Sequence, residues 1–528
     1  MATMFKLTPR AGSRRPRDLR TGGRDLVARL GLGSRRQQEP RPVEGRPHLL
    51  MIVQNLPVPL DRRVWLECRT LAKAGYQVTV ICPKGPGDPA FQVIDGITIH
   101  KYRPAPQASG LASYVYEFGY SWLRTAILSR KVWSDRPFDV LQACNPPDTY
   151  WLLARLWKRH GVRFVFDQHD LNPELFESRF GMPQGFAARF QYYALRWLEQ
   201  MTYRTADMVI STNESYRAIA MGRGQRAGED VVVVRSGPET ERMRPVHPEA
   251  AAGERDTRKT LAYLGIMGPQ DGVEQVLVVM DDLVNVRGRT DVRAVLMGFG
   301  DCYDELRATA TELGLDDCVT FTGRANLDTI ADELSQATIG LCPDLKSPLN
   351  DVSTMNKTME YMAYALPSVA FDLVETRVSG GDAVLYVPSG DTKAFADEVE
   401  RLLDDDDLRC EMGRAARRRV TEELDWKQQA IRYRSVFARL TGWSEEDSFT
   451  AALAEVQTMP EALTDPECDH RGRRYVDLDD ASLDVFLRGR GAVEVVHVEA
   501  VDPVDVGGAR AAQGSGNLEL SDAFDLAK

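Results

Sequence analysis

Between Pro343 and Ala370 a polar loop leads from an apolar, strand-like run into a helical one, and Asn356, Lys357 and Glu360 stand at the start of that helix. A helix N-terminus presents unpaired backbone N–H groups and the positive end of its dipole, which together hold anions. Lys357 adds a formal charge suited to a diphosphate. Glu360, one turn further in, offers a carboxylate that accepts hydrogen bonds from ribose hydroxyls. A loop and helix that merely pack would contain the same residue types, so both readings stay open. A second candidate is His169, which closes the run Phe164-Val-Phe-Asp-Gln-His at its carboxyl end, followed by Asp170, Pro173 and Glu174. A third is Asp61-Arg62-Arg63, which opens a helix. The planar guanidinium fork matches phosphate oxygens, while a plain surface salt bridge accounts for at least one of the two arginines. Gly298-Phe-Gly300 directly follows the strand-like Arg293–Met297, where a phosphate would meet backbone.

Other chemistries are disfavoured. The third glycine of a dinucleotide fingerprint is replaced by Tyr303, no acidic residue closes the first βαβ unit in the expected pattern, and there is no Walker A sequence. A dehydrogenase is therefore not expected. The seven histidines are dispersed without ligand spacing, so no metal site is expected. Asp477-Leu-Asp479 lies in an acidic tail and reads as a solvated charge run. The eight cysteines are scattered, with no Cys-x-x-Cys pair, and read as buried free thiols in a reducing compartment.

These residues need a scaffold. A chain of 528 residues is too long for one core and predicts two domains with chain left over. From His48 the sequence alternates apolar strands with helices: His48–Gln54, a helix over Arg62–Ala74 ended by Gly75, then Tyr76–Cys82. Strands follow at Val140–Ala143, Phe164–Phe166, Met208–Ser211 and Val231–Val234. Pro238–Lys259 reads as a linker, and the alternation restarts with Leu261–Tyr263, Val292–Met297, Val319–Phe321, Ile339–Cys342, Ser368–Phe371 and Val384–Tyr386. Helices Thr392–Leu403 and Leu408–Glu423 come after the last strand. The expected fold class is α/β, two doubly wound Rossmann-like domains facing a cleft: residues 48–240, joined by a returning helix 425–443, and residues 258–424.

The net charge of −11 is unevenly spread. Residues 1–46 carry 12 Lys+Arg against 4 Asp+Glu, whereas residues 444–528 carry 7 against 19. The arm 1–47 and the tail 444–528 are expected to be mostly disordered, with Val493–Val498 the better strand of the tail. Only the arm is basic, so nucleic acid is not an expected partner. No apolar run approaches the roughly 18 residues that span a bilayer, and the basic N-terminal stretch is not followed by the apolar core of a secretory signal. The arm, and Leu111–Trp133 with its mixture of aromatic and basic residues, are candidates for contact with an anionic membrane surface. Packing within the first domain explains the second pattern as well.

The donor-side segment resembles that of retaining family-4 glycosyltransferases of the GT-B fold, in the branch with Asn-Lys-x-x-Glu-Tyr-Met-Ala before a strand. The resemblance extends over most of 48–440 through Gln54–Glu67, Asp167–Glu174, Tyr263–Gly272, Gly298–Asp301 and a helix beginning at Trp426 that crosses back to the first domain. It implies transfer of a sugar from a UDP- or GDP-linked donor to a hydroxyl acceptor, lipid-linked or saccharide, with retention and no metal or resident cofactor. The implied setting is polysaccharide, cell-envelope or glycolipid assembly, cytoplasmic or at the inner membrane face. A sugar-nucleotide epimerase and a non-catalytic binding relative are the alternatives.

Within that resemblance His169 faces the transferred sugar, with Asp170 orienting its imidazole. Glu174 touches the acceptor or caps the next helix. The loop of Asp61, Arg62 and Arg63 approaches acceptor and phosphate. Glu360 corresponds to the second Glu of the family's Glu-x7-Glu, but the first falls at Val352, leaving Asp351 or Ser353 to replace it. Gly265–Gly272 lacks the usual basic pair. Lys357, with backbone N–H groups near Gly268 and Gly300, is the substitute expected to hold the diphosphate.

Overall fold

The computed structural model describes residues 45–105, 111–247, 256–443 and 473–490. Residues 1–44 of the basic arm, and 444–472 and 491–528 of the tail with the expected strand Val493–Val498, lie outside the described residues.

The first sheet has eight strands: β1 (His48–Ile52), β2 (Gln77–Pro83), β3 (Phe91–Ile94), β4 (Ile97–Tyr102), β5 (Val140–Cys144), β6 (Arg163–Gln168), β7 (Met208–Ser211) and β8 (Val231–Val233), in the order β3-β4-β2-β1-β5-β6-β7-β8. All pair in parallel except β3 with β4. That hairpin turns through Asp95 (φ 50°) and Gly96 (φ 74°), the left-handed pair that an Asp-Gly hairpin needs. Its helices are α1 (Arg62–Lys73), α2 (Leu111–Asp135), α3 (Trp151–Lys158), α4 (Asn172–Phe180), α5 (Gly185–Thr205) and α6 (Glu214–Gly222). In α1, Val64, Cys68 and Leu71 recur at helical spacing on the buried face, Asp61 caps the start, and Gly75 (φ 83°) follows the end.

The second sheet is wholly parallel, in the order β11-β10-β9-β12-β13-β14: β9 (Lys259–Leu264), β10 (Val292–Met297), β11 (Val319–Gly323), β12 (Ile339–Cys342), β13 (Ser368–Phe371) and β14 (Val384–Val387). Helices α7 (Val273–Asp281), α8 (Tyr303–Glu312), α9 (Leu327–Gln336), α10 (Asn356–Ala363), α11 (Val374–Gly380), α12 (Thr392–Asp404) and α13 (Asp406–Arg419) surround it. Each sheet separates two apolar clusters, the arrangement of a doubly wound fold.

After α13 the chain returns as α14 (Trp426–Thr441), whose Trp426, Tyr433, Val436 and Phe437 are buried in the core of the first domain. The two crossing segments are bonded together: the Trp426 N–H donates to Pro238 O (2.9 Å), and the Thr240 N–H donates to Asp425 Oδ2 (3.0 Å). Part of the acidic tail is ordered. Tyr475 bridges Val246, and α15 (Asp480–Gly489) seats Leu483 and Leu487 against Ala365 and Cys410 of the second domain. Apolar residues at i and i+4 are enough to bury this short helix on existing structure; the remainder of the tail lies outside the described residues. Asp479 of the Asp-Leu-Asp run caps α15, accepting from the Ser482 N–H.

In α2, Trp122 and Trp133 pack against the first domain's core with Tyr120, whereas Tyr116, Leu123 and Ile127 are exposed. The cysteines described are unpaired: five are buried, while Cys302 and Cys318 are partly exposed.

Candidate functional site

Strand β6 alternates its side chains, so Asp167 and His169 share a face. Asp167 is fully buried, and His169, just past the strand's carboxyl end, keeps partial access to solvent. His169 Nε2 lies 2.8 Å from Asp167 Oδ2. Asp167 Oδ1 accepts from Arg63 Nη2 (3.0 Å), and Oδ2 from Gln142 Nε2 (3.1 Å). Arg63 also donates to Val234 O (3.0 Å) and Ser236 Oγ (2.9 Å), and its Nε stands 3.0 Å from Glu67 Oε1, one turn along α1, and 3.2 Å from His169 Nε2. Tyr433 of the returning helix steadies Gln142 (2.7 Å), which in turn donates to Glu67 (2.8 Å).

The charges follow from this geometry. Burial opposes the imidazolium of His169, but the adjacent Asp167 carboxylate and its hydrogen bond outweigh burial and raise the pKa to about 9. Burial likewise works to raise the Asp167 pKa, and Arg63 with His169 overrides it, holding the carboxyl well below its ordinary range. Glu67 goes the other way, pushed well up by burial and then by the Asp167 charge. The groups of Glu67, Cys144, Asp167 and His169 lie close enough to surround a cation. The Arg63 guanidinium stands among them, within 3.0 Å of both carboxylates, and supplies that positive charge itself.

Several expected roles change. Asp167, not Asp170, orients the imidazole; the Asp170 backbone is clamped by Asn145, whose Oδ1 accepts from the N–H of His169 (2.8 Å) and of Asp170 (3.2 Å). Asp61 caps α1 through the Val64 N–H (3.1 Å). Arg63 belongs to the buried network rather than to a surface salt bridge or a free phosphate contact. Glu174, in the first turn of α4, is ion-paired with Arg223, which also holds Glu199 (2.8 Å). Of the Asp61–Arg63 trio, Arg62 alone reaches the cleft: its side chain is half exposed and Nη2 donates to the Glu360 carboxylate of the second domain.

In the second domain Glu360 is buried and Asn356 is exposed at the start of α10. Lys357 is buried, paired with Asp344 (2.6 Å) and 5.2 Å from the Tyr263 ring centroid. Burial opposes its charge, and Asp344 overrides this and raises its pKa. Lys357 therefore enters the site already neutralised, unlike the free diphosphate partner expected. The Gly268 N–H donates to Asp271 Oδ2 (2.9 Å). Gly300 (φ 155°) sits so close to Met267 that a Cβ would fall 2.6 Å from its carbonyl oxygen, and a Cβ on Gly298 would fall 1.9 Å from Gly265 O. These glycines permit close backbone packing at the strand ends.

Val352 packs with Leu171, Tyr216 and Leu349 between the domains. Asn213 Nδ2 donates to Val352 O (2.8 Å) and Thr354 Oγ1 (3.0 Å), and Tyr216 and Ser353 hydroxyls meet at 3.0 Å. Asp351, the other proposed replacement for the missing Glu, accepts from the Val374 N–H (3.0 Å) and pairs with Lys346 (3.1 Å). Asp167, Asn145 and Asn213 were missed from sequence. Only Asp167 carried a signal, its i, i−2 spacing from His169.

Comparison with known proteins matches residues 60–253 to the glycosyl transferase 4-like domain and residues 258–405 to glycosyl transferases group 1. Among relatives, the alpha-D-kanosaminyltransferase of Streptomyces kanamyceticus is 32% identical over 30% of this chain and 40% of its own length. Glycogen synthase of Mycobacterium tuberculosis is 23% identical over 72% of this chain and 90% of its own length. Among solved structures, sucrose-phosphate synthase from Thermosynechococcus elongatus superposes with a TM-score of 0.62 at 18% identity, covering 76% of this chain and all of that one. Anabaena HepE, solved with UDP-glucose, gives 0.54 at 13%, covering 74% and 99%. With the two family matches together spanning well over half its length, the chain belongs to the glycosyltransferases of the two-domain GT-B fold.

Proposed function

We propose that the protein transfers a sugar from a nucleoside diphosphate sugar to a hydroxyl acceptor with retention of configuration, without a resident metal or cofactor, and that its acceptor is lipid-linked or a saccharide in cell-envelope or polysaccharide assembly. The observation that carries this reading lies on α1, where adjacent arginines reach the two halves of the site. Arg63 stands 3.2 Å from His169 and Arg62 bonds to Glu360. The acceptor-side histidine and the donor-side glutamate thus lie across a cleft spanned by two successive side chains.

In this reaction charge builds on the departing diphosphate, so donors aimed there matter most in the transition state. With Lys357 neutralised by Asp344, the groups that serve are the backbone N–H groups at the start of α10, which no side chain caps, and Arg62 once it leaves Glu360. Glu360, released from Arg62, accepts from the ribose. His169, protonated at neutral pH by its pairing with Asp167, donates through the nitrogen not engaged by that carboxylate. A further relative, a mannosyltransferase of Mycobacterium tuberculosis described as GDP-mannose-dependent and 29% identical over 37% of this chain and 52% of its own length, supports a nucleotide-sugar donor.

The test is thermal unfolding with UDP, GDP, ADP and their sugars, with and without EDTA. A ligand at about 100 times its dissociation constant adds about 2.7 kcal/mol. One diphosphate is expected to stabilise wild type, not Glu360→Ala, and to keep doing so in EDTA. His169→Ala is expected to bind the donor within a few-fold of wild type while transfer falls about 100-fold or more. The anomeric configuration of the product, read by NMR, decides retention.

A further inference from the structure

Helix α5 carries Phe186, Phe190, Tyr193 and Trp197 at i, i+4, i+7 and i+11, a single helical face, and every one of them points to solvent. Exposure runs from 52% at Trp197 to 88% at Phe186. Phe180, the last residue of α4, and Met182, in the turn that follows, are exposed and extend the face. An apolar stripe of this kind on a folded domain marks a surface that meets something.

Charge identifies the occupant. From Ser178 to Leu198 there is no acidic residue, while Arg179, Arg189 and Arg196 are all exposed, in a chain whose net charge is −11. The one acid on α5, Glu199, is buried and paired with Arg223. Aromatic side chains flanked by arginines suit the interfacial zone of an anionic bilayer, whose negative surface potential attracts each basic residue. A two-fold dimer would set the same cationic face against itself. Among the described residues no helix is long and apolar enough to cross a membrane, so the contact is with the bilayer surface.

We infer that the α4–α5 face docks on anionic lipid, lying in the plane of the interface with Phe180, Met182, Phe186 and Phe190 inserted. Helix α4 begins three residues after His169, so the docked face is continuous in the chain with the acceptor side of the site. The proposal rests on the surface alone and is read without donor, so its failure leaves the transferase reading standing.

The experiment is flotation of the full chain with phosphatidylcholine vesicles, with or without one-third phosphatidylglycerol. Wild type is expected to float with the anionic vesicles and not with neutral ones. Phe186→Ser/Phe190→Ser and Arg189→Glu/Arg196→Glu are each expected to lower bound protein at least tenfold. Their unfolding temperatures should match wild type, because these side chains already face water. Equal flotation of wild type and both variants, or none by wild type, overturns the proposal. A concentration-dependent dimer in sedimentation velocity, abolished by Phe186→Ser/Phe190→Ser without vesicle binding, overturns it in favour of a second copy.

Discussion

His169 holds its proton into the alkaline range because a buried carboxylate stands 2.8 Å away, and that sets a pH signature on stability. The folded-state pKa is raised to about 9 from 6.5, so the stabilisation is fully present below pH 6.5 and is lost as pH rises through 9. A shift of this size corresponds to about 3 kcal/mol. Wild type is therefore expected to lose stability between pH 6.5 and 9 in urea titrations, and His169→Gln is expected to lose less, keeping only the part due to other buried groups such as Asp148, whose pKa burial raises to about 8; an equal loss in His169→Gln places the titration elsewhere. At this scale the sequence was only half legible. The reactive types stood out, but partners did not, because Asp167, Gln142 and Tyr433 come from three elements that only the fold brings together. Lys357 shows the same limit: nothing in its own helix reveals that Asp344, across a loop, neutralises it.

Among the elements, α6 and the loop before α10 join the two domains. Asn213 has two functions: its Oδ1 caps α6 through the Tyr216 N–H (2.8 Å), and its Nδ2 donates to Val352 O and Thr354 Oγ1. Asn213→Asp keeps the cap and replaces the donor with a carboxylate facing a carbonyl. It should cost about 1–3 kcal/mol and speed hydrogen exchange over residues 350–355, whereas exchange within α6 should stay near wild type. Arg62→Ala removes the ion pair that occupies Glu360, so a nucleoside without phosphates should bind several-fold more tightly while a nucleoside diphosphate binds more weakly. Titration calorimetry separates the two; parallel changes would mean that Arg62 does not compete for Glu360. Most strands were readable from apolar runs because both faces of a parallel sheet are buried. The β3–β4 hairpin was missed although Asp95-Gly96 announces it. Its exposed Phe91 and Val93 break the continuous burial that marks the other strands.

At the scale of the whole molecule, the α15 segment acts as a strap on the second domain. Arg490 donates to the carbonyls of Ser335, Tyr364 and Ala365, joining α9 to the end of α10, and Leu487 fills the space beside Gly413. Leu487→Ala should destabilise by about 2–4 kcal/mol and make Cys410, buried beneath the strap, reactive to a thiol probe. An unchanged Cys410 labelling rate would show that the strap does not cover it. The two-domain division was legible because the alternation of strands and helices stops and restarts, but the strap was hidden by its acidic surroundings.

The return of α14 has a bearing on the order in which the protein is made. Trp426, Tyr433, Val436 and Phe437 complete the core beneath β1 and β2, more than three hundred residues after those strands are synthesised. The first domain is thus begun first but completed only after the whole sheet of the second has been synthesised, with the α15 strap following last. Until then its apolar groove is open to water, and a chain released at residue 424 would carry that groove permanently as a chaperone or aggregation target.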